Sequence, residues 1–121
     1  MIRAYYLYTG NDGNSHVQRG QIEPKNIIAA ESIQFKETEP HSSLDWHNDP
    51  TPQYVLFLAG ALEFNTRSGD IFTVQPGEVL IAVDHVGTGH SWRIVNDQPW
   101  IRAYVIFKTG ADLHFIPDET D

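Results

Sequence analysis

The chain has 121 residues, a formal net charge of −8 and no cysteine, which suits one globular domain and excludes disulfides, thiolate metal ligands and a cysteine nucleophile. Eight lysines and arginines against sixteen acidic residues argue against a nucleic-acid partner, because the phosphate backbone is bound by basic surfaces. No apolar run reaches the roughly 20 residues of a membrane helix and the N-terminus lacks an apolar signal segment, so we expect a cytoplasmic protein without a membrane partner.

Short extended segments follow one another from the N-terminus, because nine glycines and seven prolines divide the chain into pieces of strand length. The first is the aromatic segment 2–9, and a turn-forming cluster at 10–14 separates it from a short predicted strand at 16–21. Segment 33–36 alternates apolar and polar residues, which predicts a half-buried strand. Segment 40–52 is irregular and is predicted as a loop that leads into the next strand.

The second half of the chain carries the clearest strand signals. Residues 55–58 form a continuous apolar run, which is typical of a strand buried on both faces, and Gly60 predicts a bend after it. A glycine-containing hairpin turn at 67–70 precedes further predicted strands, which are 71–74, 79–83, 90–95 and 100–107. Strands at intervals of about 8–12 residues, without a helical pattern, predict a β-sandwich or barrel.

A polar segment precedes the apolar run, and a second one follows about thirty residues later. The first reads Asp45-Trp46-His47-Asn48-Asp49, and the second extends from Pro76-Gly77 to His90. This arrangement resembles the cupin family, whose two motifs are G-x5-H-x-H-x3,4-E-x6-G and G-x5-P-x-G-x2-H-x3-N. The resemblance is closest to small, single-domain, uncharacterised bacterial cupins, which also share an N-terminal segment like Leu7-Tyr8-Thr9-Gly10.

The cupin resemblance implies an all-β fold, the double-stranded β-helix or jelly-roll barrel, as a single domain over residues 1–121. It places the core barrel at about 30–110 and packs the N-terminal strands within 1–22 on it. Jelly rolls expose sheet edges and cupins commonly cover them by pairing, so a homodimer is expected. The aromatic segment 5–8 is the predicted interface, and burial in its own core is the alternative.

Four positions of this sequence fall on the metal-ligand positions of the family. His47 and His90 match histidines, Asp49 stands on the position of the second histidine, and Gln53 replaces the glutamate. The resemblance therefore predicts His47, Gln53 and His90 as metal ligands, with Asp49 as an additional one. Nitrogen and oxygen ligands suit Fe, Mn, Ni or Zn as a divalent ion.

Each of these assignments has an ordinary alternative. The two histidines can be hydrogen-bonded residues at the barrel mouth, and Asp49, which precedes Pro50, can be a turn residue. Gln53 can line the cavity and bind a small-molecule ligand instead of a metal. Because an amide replaces an anionic ligand there, a weak or empty metal site is the alternative for the whole cluster.

Four further residues near the two motifs are candidates for the site. Asp84 is the candidate general base, and its alternative role is to accept backbone N–H bonds within a glycine-containing loop. Trp46, Tyr54 and Trp92 are the predicted pocket residues, although such aromatics more often fill a core or an interface.

Two arginines complete the set of candidates, because Arg93 and Arg102 can each bind a substrate carboxylate or pair with a surface acid. The remaining histidines, at positions 16, 41, 85 and 114, are assigned to loops and surface.

Two classes of function fit these residues. One is a metal-dependent dioxygenase or isomerase that acts on a small molecule. The other is a non-catalytic ligand-binding or sensor cupin whose metal site is degenerate or empty. A third, metal-free sugar epimerisation, lacks a clear pair of acid and base residues in this sequence.

Overall fold

The structure, a computed structural model, describes residues 1–119. Within that range the regular structure consists of β-strands, and no helix occurs there. In chain order the strands are β1 (Ile2–Thr9), β2 (Ser15–Ile22), β3 (Ala30–Thr38), β4 (Ser43–His47), β5 (Gln53–Ala59), β6 (Leu62–Thr66), β7 (Ile71–Val74), β8 (Val79–Ala82), β9 (His90–Ile94), β10 (Trp100–Phe107) and β11 (Phe115–Pro117). Accordingly, no helix among the described residues is long and apolar enough to cross a membrane.

The strands form two sheets. The larger sheet has seven strands in the order β11-β2-β1-β8-β5-β10-β3, and the smaller has four in the order β4-β9-β6-β7. Neighbouring strands are antiparallel except for β1 and β8, which run parallel. The chain passes repeatedly between the two sheets, as in a jelly roll, so the predicted all-β double-stranded β-helix is confirmed.

The main core lies between the two sheets. Leu7 and Phe57 project from the larger sheet and pack with Leu62, Phe64 and Phe72 of the smaller one. Stacking of the Phe64 and Phe72 rings, whose centroids are 5.2 Å apart, joins neighbouring strands within that core. Alternate residues of each strand face this layer, because successive side chains of a strand point to opposite sides.

A second apolar cluster lies on the outer face of the larger sheet. Tyr54 and Ile81 are buried there and contact Ile28, Leu113 and Phe115 from the segments that cross this face. The apolar run in β5 is therefore buried on both faces over most of its length. Val55 and Phe57 enter the main core and Leu56 packs against the outer cluster, whereas Leu58 is 53% exposed.

Two predicted strands differ from expectation in their surroundings. Segment 33–36 belongs to β3, which is the last strand of the larger sheet, and Ile33 and Phe35 are 58% and 68% exposed instead of half-buried. The N-terminal strand β1 is also placed differently, because it lies within the larger sheet between β2 and β8. Both of its edges are hydrogen-bonded, so β1 offers no free edge for another copy of the chain.

Gly60 forms the bend between β5 and β6 that the sequence predicts. Its φ of 84° lies in the left-handed region, which glycine adopts without steric cost. A Cβ atom there would lie 2.6 Å from the Pro99 carbonyl oxygen. The chain therefore turns from the larger sheet into the smaller one at a position that only glycine fits.

Candidate metal centre

An irregularity in β4 brings two histidines opposite each other, with their rings in an edge-on arrangement. Leu44 pairs with Trp92, but the next register partners are His47 and His90, so β4 has one extra residue at this point. Such a β-bulge re-aims the side chains that follow it. Without the bulge, Trp46 would stand opposite His90. With it, the two imidazole rings lie 4.5 Å apart between centroids.

His90 is held from behind by a buried carboxylate. Its Nδ1 donates to Asp84 Oδ2 over 2.6 Å, and the same oxygen accepts a 2.7 Å hydrogen bond from the Ser15 hydroxyl. Both His90 and Asp84 are at most 1% exposed. Because the carboxylate can only accept, the Nδ1 atom carries the proton, and the Nε2 lone pair of the neutral ring is left to face the cavity.

His47 is oriented by its own strand in the same way. Its Nδ1 lies 2.8 Å from the backbone carbonyl oxygen of Asp45, which can only accept. The neutral ring therefore also presents its Nε2 lone pair. Gly89 lets the chain before β9 approach the His47 backbone closely, since a Cβ atom there would lie 2.2 Å from the His47 carbonyl oxygen.

Asp49 supplies a carboxylate to the same point. Its Oδ2 is buried, makes no hydrogen bond within residues 1–119, and lies 3.9 Å from His90 Nε2. One ligand atom from each of His47, Asp49 and His90 lies within 4.8 Å of the others. A buried carboxylate oxygen without a donor is costly, and a bound cation removes that cost.

The titration of the three residues follows from their burial and charges. Burial raises the pKa of Asp49 to about 7, an effect that the charge of His90 opposes and the neighbouring Asp84 carboxylate reinforces. Burial likewise lowers the pKa of His47. For His90 burial also acts to lower the pKa, but the hydrogen bond to Asp84 and the charges of both aspartates outweigh it, so the pKa is raised.

The donor set fits a divalent transition-metal ion. Two imidazole Nε2 atoms and one carboxylate oxygen converge, and the histidines have the hydrogen-bonded Nδ1 atoms that are usual for metal-ligating imidazole. Such a 2-His-1-carboxylate set leaves coordination positions open for further ligands. The residues present therefore satisfy the chemical requirements of the ion that the sequence predicts.

A cavity of about 540 Å³ opens in front of these residues. Gln53 and Trp92 line it, so Gln53 lies in the same cavity as the three ligand candidates. Trp100 and Tyr104 add aromatic surface to the wall, and polar side chains such as Thr38 and Ser42 line it as well. A concave site that combines apolar surface with polar groups is typical of small-molecule binding.

The structure places two predicted pocket residues elsewhere. Tyr54 points to the outer face of the larger sheet, where its hydroxyl donates to the Leu113 carbonyl over 2.9 Å. Trp46 is the residue that the bulge turns aside, and the Arg67 guanidinium lies 3.7 Å from the centroid of its ring. The strand register determines which face of the sheet a side chain occupies, and the sequence does not define that register to within one residue.

The structure also places Asp84 where it cannot act as the predicted general base. It is 0% exposed, and His90 separates it from the cavity, so its carboxylate cannot touch a substrate. It does not hold its loop through backbone N–H groups either, since Ser15 and His90 side chains are its hydrogen-bond partners. The structure therefore makes Asp84 a positioning residue for His90.

Ser15 and the Asp45 carbonyl are site residues that the sequence does not reveal. Ser15 lies 69 residues before Asp84 in the chain, and no motif connects them. The Asp45 carbonyl carries no signal because every residue has such an oxygen. The six-residue separation of Asp84 and His90 spans a loop, where neither strand nor helix periodicity applies.

The comparisons with known proteins find a similar fold among solved structures. No family model matches the chain, and no curated protein matches it. A crystal structure from Klebsiella pneumoniae, of an uncharacterised conserved protein with a double-stranded β-helix domain, is similar with a TM-score of 0.49. The two chains are 17% identical over 82% of this chain and 91% of the other. The jelly-roll assignment depends on the strand topology and not on this likeness.

Removing the Asp84 carboxylate tests its positioning role. We expect Asp84→Ala to lower the free energy of unfolding by about 3 kcal/mol, because the buried His90 N–H and Ser15 hydroxyl both lose their acceptor. The matched control is Asp12→Ala, since Asp12 also bonds a histidine, His16, at 2.9 Å but on the surface. Urea denaturation measures both variants, and equal, small losses would contradict the assignment.

Proposed function

We propose that this protein binds a small molecule at a mononuclear divalent-metal centre inside its barrel. The observation that carries the proposal is the convergence of His47, Asp49 and His90 in the lining of the cavity. The unpaired, buried Oδ2 of Asp49 supports it, because a metal ion is the partner that this oxygen lacks. A dioxygenase or an isomerase is the enzymatic form of this function.

The chemistry of the centre is divided between the ion and the chain. When bound, such an ion supplies Lewis-acid polarisation of a ligand oxygen and, where it is iron, a site for O2. His47 and His90 hold fixed lone pairs, which Asp84 and the Asp45 carbonyl orient. Trp92, Trp100 and Tyr104 provide apolar surface against which a bound molecule can pack.

A ligand-binding protein without turnover is the second candidate. The observation that favours it is the burial of Asp84 behind His90. Among the cavity residues of the described chain, Asp49 is then the only carboxylate, and its role is that of a metal ligand. A site of this kind binds and orients a molecule but has no second carboxylate to move a proton.

Metal content and metal-dependent stability test the proposal. Protein purified without chelator should contain a first-row divalent metal by elemental analysis. After chelator treatment and dialysis, added Mn²⁺, Zn²⁺, Ni²⁺ or Fe²⁺ should raise the melting temperature, since a ligand that binds the native state stabilises it. The double variant His47→Ala/His90→Ala should lose both effects, and Asp49→Asn should weaken them.

A surface histidine provides the control for the metal experiment. His85→Ala removes an exposed imidazole and should keep the full metal response. Gln53→Leu then shows whether the amide is a fourth ligand or serves only the cavity wall. Absence of metal from the wild type, together with no change in melting temperature, would exclude the metal centre and leave the binding protein with an empty site.

We also propose that two copies of the chain associate through the exposed end of the larger sheet. Ile33 and Phe35 of β3 and Leu58 of β5, here called the β3 patch, are all more than half exposed on its outer face. β3 ends the sheet and therefore presents unpaired backbone groups beside this patch. A second copy, related by a two-fold axis, covers both the apolar side chains and the open edge.

Sedimentation tests the dimer with two matched substitutions. The wild type should sediment at twice the 13.7 kDa of one chain, and Ile33→Glu should dissociate it, because the new charge would be buried in the interface. Ile71→Glu changes an equally exposed isoleucine on the smaller sheet and should leave the dimer intact. A monomeric wild type, or equal dissociation by both variants, would contradict the proposal.

A further inference from the structure

Two cations on neighbouring strands line the cavity on the side of β3 and β10. Arg102 and Lys36 are register partners, so their side chains emerge directly opposite each other and on the same face. Both line the cavity, with Arg102 buried and Lys36 exposed at its mouth. Like charges in this position repel, so the pairing is a cost to the fold.

Neither cation is neutralised by the part of the protein that the structure describes. No ion pair is formed by Arg102 or Lys36 within residues 1–119, although the chain has sixteen acidic residues. Asp49, the carboxylate of this cavity, lies too far from both to pair with them. An arginine that is 3% exposed and has no anion beside its guanidinium is unusual.

Neutral groups hold the Arg102 guanidinium in a fixed position instead. Nη1 donates to the Thr38 hydroxyl and to the Trp100 carbonyl, and Nε donates to the Tyr104 hydroxyl. Its carbon lies 3.7 Å above the centroid of the Trp100 ring. The Nη2 group makes no hydrogen bond to any described residue, so one end of the planar fork has no acceptor.

The Trp100 indole adds another donor without a partner. Its Nε1 is buried and has no acceptor among residues 1–119, while its ring supports the guanidinium. That nitrogen is closed to the cavity, so the group that this wall offers to a ligand is the free Nη2 of Arg102 with its positive charge, and the wall has no anion to pair with it. A carboxylate, which accepts only and bears a negative charge, has the complementary chemistry.

We infer that the small molecule bound in this cavity is an organic acid whose carboxylate is held by Arg102 and Lys36. The inference rests on the proposed function, since it names the ligand class of the same cavity. One cavity is lined both by the candidate metal ligands His47, Asp49 and His90 and by the two cations. A bound molecule can therefore face the candidate metal ligands at one end and place its carboxylate on the cations at the other. The Trp92 and Trp100 rings, whose centroids are 4.9 Å apart, supply the apolar wall for its carbon skeleton.

The test compares two probes of the same shape, benzoate and benzamide, which differ in the charge of the group attached to the ring. Binding is measured by titration calorimetry and by tryptophan fluorescence, with chelator present so that no metal contributes. We expect the wild type to bind benzoate about ten-fold more tightly than benzamide, because a charge-assisted hydrogen bond is stronger than a neutral one. In Arg102→Met this preference should disappear.

Two further variants separate recognition from a merely structural role. Lys36→Gln changes an exposed residue, so the protein should fold normally and lose part of the preference for benzoate while binding benzamide unchanged. Arg93→Gln is the control, because Arg93 lies on the smaller sheet, is 61% exposed and pairs with Glu63. It should keep the wild-type ratio of the two affinities.

The affinities for benzoate and benzamide test the inference without any contribution from a metal ion. Equal affinity for the two probes, no binding of either, or an unchanged preference in both Arg102→Met and Lys36→Gln would overturn it. Should Arg102→Met fail to fold, the ratio of the two affinities in Lys36→Gln is decisive by itself. Since chelator is present throughout, a negative metal titration of the wild type leaves this result intact, and a negative benzoate result leaves the metal centre intact.

Discussion

The buried hydrogen bond between Asp84 and His90 is the interaction on which the site depends. At 2.6 Å and out of contact with solvent, it fixes the tautomer and the direction of a ring that would otherwise rotate. Ser15 shares the same carboxylate oxygen, so β2 in the larger sheet is tied to β9 in the smaller one. The pair therefore joins the two halves of the barrel and also aims a ligand atom into the cavity between them.

The jelly-roll topology brings the residues of this hydrogen bond together. Because the chain passes back and forth between two sheets, the loop after β8 lies beside both the N-terminal strands and the start of β9, and it can bury a carboxylate there. The bulge in β4 then completes the centre by exchanging Trp46 for His47 opposite His90. The same architecture leaves a cavity whose other wall, on β3 and β10, carries cations without anionic partners. A molecule that binds between these walls meets a metal-ligand cluster at one place and positive charge at another.

Much of the fold follows from the sequence because glycines, prolines and β-branched or aromatic runs mark strands and turns locally. The apolar run of β5 and the bend at Gly60 are examples, and the structure has both. The exposure of Ile33 and Phe35 could not be foreseen, since an alternating pattern says that a strand has two faces but not that it ends a sheet. The sequence also could not determine which face of the sheet Tyr54 and Trp46 occupy, because a single bulge or a one-residue shift of register moves a side chain to the other face. The resemblance to the cupin motifs implied His47, Asp49, Gln53 and His90 together, whereas the role of Asp84 became visible only through its distance from His90 and its burial.

A single metal centre formed by His47, Asp49 and His90 inside the barrel is the proposal from which the function follows. Anomalous X-ray diffraction from crystals of the protein grown with Mn²⁺ or Zn²⁺ would observe such a centre directly. We expect an anomalous peak within bonding distance of both Nε2 atoms and an Asp49 oxygen, about 2 Å from each nitrogen. A peak only at the surface pair Asp12 and His16, or none in the protein, would contradict the proposal.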